Sequence, residues 1–328
     1  CRGDAYPQSE TQLLCEDGAF YSALALENIT GDLYANAIDS SIATISLPAP
    51  RAVGGRVYLS DNSALEDIAC PALTSIGGDL YAEENPALTK LVLPSLKSVG
   101  GRIYVYHDGW DGDPVLRTVA FPNLTTVGDF VYIQGFSLTN VSMPSLKGIG
   151  SSLYISGRYW PDFEYQGYQE LQADFSSLKT VGSYLHLYGG SITAVKLTSL
   201  KSIGTFFQIE HCPELTNLTL PALESIDGYM WLYEYDSYAY PNSMKHASMP
   251  SLTKIGGYVI LTNLNDLASL NMSSLQQIDG YLSMSNANSL TTLNLKSLTT
   301  LSGDADDGND YYGNYYYSSP TTYCEYSG

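Results

Sequence analysis

Residues Ile76–Ser98 read IGGDLYAEENPALTKLVLPSLKS, and at Val99 the phrase begins again as VGGRIYVY. It occurs earlier as VGGRVYLS from Val53 and, more weakly, as ITGDLYAN from Ile29. It returns as VGDFVYIQ from Val127, IGSSLYIS from Ile149, VGSYLHLY from Val181 and IGTFFQIE from Ile203. Further copies are IDGYMWLY from Ile226, IGGYVILT from Ile255 and IDGYLSMS from Ile278, with a degenerate LSGDADDG from Leu301. The copies start 22–24 residues apart, except that those beginning at Val99, Ile149 and Ile226 are longer. A fixed period in this range is the signature of a solenoid.

Each copy holds three short apolar phrases separated by turn residues. In the type copy these are Asp79–Ala82, Leu88–Leu93 and Leu96–Val99, punctuated by Glu84-Asn85-Pro86 and by Pro94. Apolar residues alternate with period two over a few positions, and no window sustains a helical i, i+3, i+4, i+7 pattern. The expected fold class is therefore all-β: a parallel β-helix, or leucine-rich-repeat-like solenoid, of about twelve coils. One coil of this size cannot bury its own apolar face, and stacking coils creates the core. At about 4.8 Å per stacked strand the rod would be on the order of 55 Å long. Residues 1–28 are read as an N-terminal cap, 29–300 as the solenoid, and 301–328 as a C-terminal cap and Tyr-rich tail.

Stacking can be tested on one slot. The residue before the inward Leu or Val of the first phrase is Asp32, Arg56, Asp79 and Arg102 in four successive coils. In register these form a ladder of alternating charge, each neighbouring pair worth about 0.2–1 kcal/mol. In the core, Leu80, Leu91, Leu93 and Leu96 are expected to face inward.

Fifteen Lys and Arg against 34 Asp and Glu give a formal charge of −19, which argues against nucleic acid and anionic membrane surfaces as partners. No run of 18 apolar residues occurs, so no membrane-spanning helix is expected. The sequence opens at Cys1 without Met, as expected of a mature, processed protein. Asn-x-Ser/Thr sequons stand at Asn28, Asn123, Asn140, Asn217 and Asn271, close to the number chance would give. Their turn or outward strand slots make them candidate glycosylation sites.

The five cysteines are Cys1, Cys15, Cys70, Cys212 and Cys324. Cys1 and Cys15 flank the non-repeat N-terminal segment, and a disulfide between them is the first expectation. Cys70 takes the slot of Leu93 and reads as a small buried hydrophobe. Cys324 has Cys212 or a neighbouring molecule as alternatives.

Little in the sequence points to catalysis. The four His (His107, His186, His211, His246) show no metal-ligand spacing, and nucleophile-elbow, phosphate-loop and zinc-protease motifs do not occur. No catalytic residue, metal or cofactor is assigned. Acidic clusters at Asp108, Asp111 and Asp113 and at Asp304–Asp310 read as solvated turns, with calcium at the second as the lesser alternative. Arg2-Gly3-Asp4 is given no role.

The loudest non-core signal is aromatic. The slot after the inward Leu reads Tyr34, Tyr58, Tyr81, Tyr104, Tyr132 and Tyr154, and later the slot before it reads Tyr184, Phe206, Tyr229, Tyr258 and Tyr281. Both point away from the core, because strand side chains alternate. The three long coils take their extra residues just after the first phrase, with Trp110 and Trp160 among them, and insertions at one slot fall on one edge of a solenoid. Candidate binding residues are Tyr58, Tyr81, Tyr104, Tyr132, Tyr154, Trp110, Trp160 and Trp231. The stripe reads either as a stabilising ladder or as an exposed contact surface.

The recurrent phrase, with Leu88–Val99 followed by Gly100-Gly101-Arg102-Ile103, resembles the receptor L-domain repeat and is most similar to that of fungal cell-surface proteins. The segment from Cys1 to Cys15 ahead of Ile29 also resembles their N-terminal cap. The resemblance covers roughly residues 1–303. It implies a right-handed β-helix, secretion, and often a lipid (GPI) anchor at the cell wall; an end trimmed at Gly328 would fit one. Abundant Tyr, aromatic insertions and a Tyr-rich tail depart from that pattern.

The expected function is an extracellular, non-enzymatic structural or adhesion glycoprotein of a cell surface, wall, matrix or appendage. Its partners would be further copies of itself, cell-surface proteins or glycans. The alternatives are a polysaccharide- or ligand-binding module and, less favoured, a polysaccharide-acting enzyme.

Overall fold

In a computed structural model, the described residues are 13–14, 27–35, 43–107, 115–157, 170–234 and 244–302; at 13–14 only the backbone is described. Among them every regular element is a strand, and no helix is long and apolar enough to cross a membrane. The chain is a parallel β-helix. The first phrase of each coil builds one 12-stranded parallel sheet, from Leu13–Leu14 to Leu282–Ser285. The two-residue strands typified by Ser98–Val99 build a second sheet of 12 strands. The middle phrase builds the remaining face in three shorter sheets of two, five and four strands.

Register in the first sheet is in step from coil to coil, while the middle sheet carries one irregularity where Leu171 pairs with Ile192 and Gln172 with Ala194. Leu80 pairs with Ile103 and Tyr81 with Tyr104, and the next coil continues with Val131 and Tyr132. Strand side chains alternate, so one member of each pair goes in and the other out. Leu80, Leu91 and Leu96 are fully buried and Leu93 is 2% exposed, as the repeat predicts. Successive coils join these residues into one continuous apolar core. In the last of the described coils Leu293 and Leu301 are exposed.

The turn between the second and first sheets depends on glycine. A Cβ on Gly100 would run into the carbonyl oxygen of Gly77 in the coil before. The amide of Gly100 meanwhile donates to Ile76 O at 2.8 Å, fixing the two backbones at that approach.

The four-residue charge slot is stacked as expected, but the contacts are directional. Arg56 Nε lies 3.3 Å from Asp79 Oδ2, while Arg102 Nε turns onward to Asp129 Oδ2 at 2.9 Å. Asp32 and Asp79 use their other oxygen to accept the backbone N–H of Arg56 and Arg102, at 2.6 and 2.8 Å. Each Asp thus caps the next coil, and each Arg reaches forward.

Cys70 and Cys212 are buried free thiols. Burial pushes the Cys70 thiol up to about 12 and that of Cys212 well above its ordinary value. Cys1, Cys15 and Cys324 lie outside the described residues, as do the insertions, the tail and both acidic clusters.

Candidate functional site: the outer face of the first sheet

The outward slot of the first sheet aligns Tyr34, Tyr58, Tyr81, Tyr104, Tyr132 and Tyr154 over six coils. The rings stack. Tyr34–Tyr58, Tyr58–Tyr81, Tyr104–Tyr132 and Tyr132–Tyr154 have centroids 4.7, 4.9, 4.8 and 4.5 Å apart, within 15° of parallel. One step breaks the pattern: Tyr81 and Tyr104 are 6.0 Å apart and tilted by 52°. All six are half-buried.

The surface differs from a flat apolar strip. Each stacked ring covers its neighbour's face, so the ring faces are spent on one another. Aromatic pairs at this distance are worth about 0.5–1.5 kcal/mol beyond area burial, so the stack stabilises itself. The hydroxyls are held by polar neighbours on the same face. Tyr34 donates to Asp32 Oδ2 at 3.1 Å, Arg56 Nη1 donates to the Tyr58 oxygen at 3.1 Å, and Tyr132 donates to Gln134 Oε1 at 2.6 Å. Burial and then the Asp32 bond push the Tyr34 hydroxyl up to about 12, so it stays protonated.

At Tyr154 the ladder changes column. The next residue in the slot is His186, whose ring meets Tyr154 edge-on at 5.1 Å. Stacking resumes one slot earlier, through Tyr184, Phe206, Tyr229, Tyr258 and Tyr281, with centroids 4.7–5.3 Å apart.

The crossover gathers a polar cluster that sequence reading did not single out. Glu210 lies between two imidazoles: His186 Nε2 is 3.3 Å from Oε2 and His211 Nε2 is 3.3 Å from Oε1. Gln208 Nε2 donates to Glu210 Oε2 at 2.8 Å. Burial pushes the Glu210 carboxyl up, but the two histidines outweigh it and hold the group at about 2. His211 has a positive φ of 52°, which turns its ring to pack edge-on against Tyr188 and Tyr233.

Beneath this cluster Glu234 is 4% exposed and accepts the Cys212 N–H at 2.8 Å. Burial pushes its carboxyl up to about 8, against the downward pull of that bond. Two carboxyls one coil apart are therefore held in opposite protonation states at neutral pH. Diverging carboxyls also mark acid–base pairs, but Glu234 is enclosed and spent on a backbone N–H. A ladder role has precedent in this chain, since Asn85 Oδ1 accepts the Asn62 N–H in the same way at 3.3 Å. Among the described residues no group of three or more His, Cys, Asp or Glu could hold a metal ion.

Of the candidate binding residues, Tyr58, Tyr81, Tyr104, Tyr132 and Tyr154 share this face. Trp231 stands further along the same slot, two coils past His186, half-buried and tilted against Tyr233 at 5.8 Å. Trp110 and Trp160 lie outside the described residues. Of the sequons, Asn28, Asn123 and Asn217 are exposed, while Asn140 and Asn271 are half-buried. The Asn271 amide is engaged on both sides, donating to Ser248 Oγ at 3.4 Å and accepting from Asn294 Nδ2 at 3.1 Å.

A scan against protein-family models gives no match, and searches of curated proteins and of solved structures likewise give none.

Proposed function

We propose that this chain is an extracellular, non-enzymatic structural or adhesion protein that engages its partner through the outer face of the first sheet. One observation carries the reading. Six half-buried tyrosines stand in register across six coils, stacked ring on ring except at the tilted Tyr81–Tyr104 step. A rigid solenoid is suited to presenting such a row, because the sheet fixes both spacing and direction. Tyr at a half-wet contact offers apolar body and polar tip together. In this reading the partner is a further copy of the chain or another surface protein, and secretion, glycosylation and a wall anchor belong to the same proposal, as does kinship with receptor L-domain proteins.

A second reading, a glycan-recognition module, is favoured by the crossover. Trp231, Tyr188 and Tyr233 surround the ionised Glu210 and its two histidines, a mixture of aromatic and charged groups suited to a sugar. Sedimentation velocity across a concentration series, alongside glycan-array binding, separates the two. Self-association lost on changing Tyr81 and Tyr104 to Ser supports the first. Glycan binding lost on changing Trp231 to Ala supports the second. A monomer that binds no glycan at any accessible concentration contradicts both.

A further inference from the structure

A different edge of the solenoid carries a line of positive charge. The residue just before each strand of the second sheet is stacked coil on coil by backbone hydrogen bonds. Arg51, Thr74, Lys97, Thr125, Lys147, Lys179 and Lys201 each donate N–H to the carbonyl of the one before, at 2.7–2.9 Å after a first bond from Arg51 to Glu27 of 2.6 Å. Seven consecutive coils thus place five cations and two threonines in one column. A carboxylate stands only at its two ends, Glu27 and Glu224. All five cations are exposed.

Composition makes this column unusual. The chain has 15 Lys and Arg against 34 Asp and Glu, yet five of the 15 share this line. Lys201 pairs with Glu224 at 2.7 Å. Among the described residues no carboxylate pairs with Arg51, Lys97, Lys147 or Lys179; of the exposed lysines elsewhere, Lys90, Lys196 and Lys254 have carboxylate partners and Lys245 and Lys296 show none. Lys147, Lys179 and Lys201 are direct neighbours, and like charges in register are destabilising. Among the described residues the column's one ion pair is Lys201–Glu224 at its end, so its other charges give the fold none.

We propose that the Arg51–Lys201 column is a binding ridge for a linear anionic polysaccharide carrying one carboxylate per sugar. The ridge is straight, one cation wide and about 29 Å long at about 4.8 Å per coil. Compact lysine point charges suit single carboxylates, whereas bidentate recognition favours arginine. Hydroxyls interleave with the charges: Thr74 and Thr125 lie in the column, each donating to the carbonyl of the residue before it at 2.8 and 2.9 Å and keeping lone pairs to accept from a sugar hydroxyl, and Ser98, Thr180 and Ser202 flank it. The column holds no aromatic side chain on which a base would stack. This inference does not rest on the tyrosine face.

The test is titration of the full-length chain with polygalacturonate, with melting temperature followed in parallel. The ridge variant is Lys97, Lys147 and Lys179→Gln; the charge-matched control is Lys90, Lys245 and Lys254→Gln. The wild type is expected to bind, and to weaken between about 50 and 200 mM salt as released counterions are replaced. The ridge variant should lose at least tenfold in affinity with its melting temperature unchanged or raised, and the control should bind like wild type. Equal losses in the two variants, a ridge variant that binds normally, or a wild type that ignores polygalacturonate would each overturn the proposal. So would binding of poly-glutamate or duplex DNA as tight as that of the uronate polymer.

Discussion

Tyr132 and Tyr154, in adjacent coils, lie face to face with ring centroids 4.5 Å apart and 8° from parallel. Both rings are therefore part of the fold as well as of its surface. A double-mutant cycle changing each to Leu should give a coupling of about 0.5–1.5 kcal/mol. A coupling near zero would mean that the stack contributes only by area.

Leu91 is fully buried where the middle phrase enters the core. Leu91→Ala should cost about 2–5 kcal/mol in denaturant unfolding. A loss below about 0.5 kcal/mol would contradict its inward placement.

Gly100 has no room for a methyl group against Gly77 O. Gly100→Ala should destabilise by about 1–3 kcal/mol through forced backbone displacement. Asp227 occupies the corresponding slot of a later coil, where it donates its N–H to Ile203 O at 2.9 Å, so the penalty belongs to particular coils and not to the slot as such.

Glu234 gives a pH dependence with a definite sign. Its folded value of about 8 lies above its ordinary 4.5, so the fold holds the proton more tightly than the unfolded chain. Its contribution is fully present below about pH 4.5 and is lost as pH rises toward 8. Glu234→Gln, which can still accept the Cys212 N–H, should melt like wild type at pH 4 and higher than wild type at pH 8, by an amount on the order of a few kcal/mol. Glu210 acts in the opposite window: held near 2, it favours the fold above pH 4.5, and that contribution fades as pH falls toward 2. Identical pH profiles for wild type and Glu234→Gln would show that Glu234 is not held neutral.

The solenoid was legible because its period is written into every coil. The spacing from Ile76 to Val99 sets the register, and alternation about Leu80 sets which tyrosines face out. The ladder and its change of column at Tyr184 followed from the same alignment. Ring orientation did not: whether stacked tyrosines show faces or edges depends on side-chain torsions that the repeat does not encode. The His186–Glu210–His211 cluster was missed because its members sit in different slots of adjacent coils, and reading slot by slot hides diagonal neighbours. The lysine column was legible in principle, since Leu96-Lys97, Leu146-Lys147, Leu178-Lys179 and Leu200-Lys201 repeat one dipeptide.

The central claim is that the tyrosine hydroxyl row, beyond its stacking, engages a partner. Changing Tyr58, Tyr81, Tyr104 and Tyr132 together to Phe keeps the rings and removes the hydroxyls. Self-association by sedimentation velocity, read beside the melting temperature, is the most direct measurement. The account predicts a melting temperature within a few degrees of wild type and association weakened at least tenfold. Association unchanged in the Phe variant, with stability lost only when the same positions become Ser, would show the row to be a structural ladder alone.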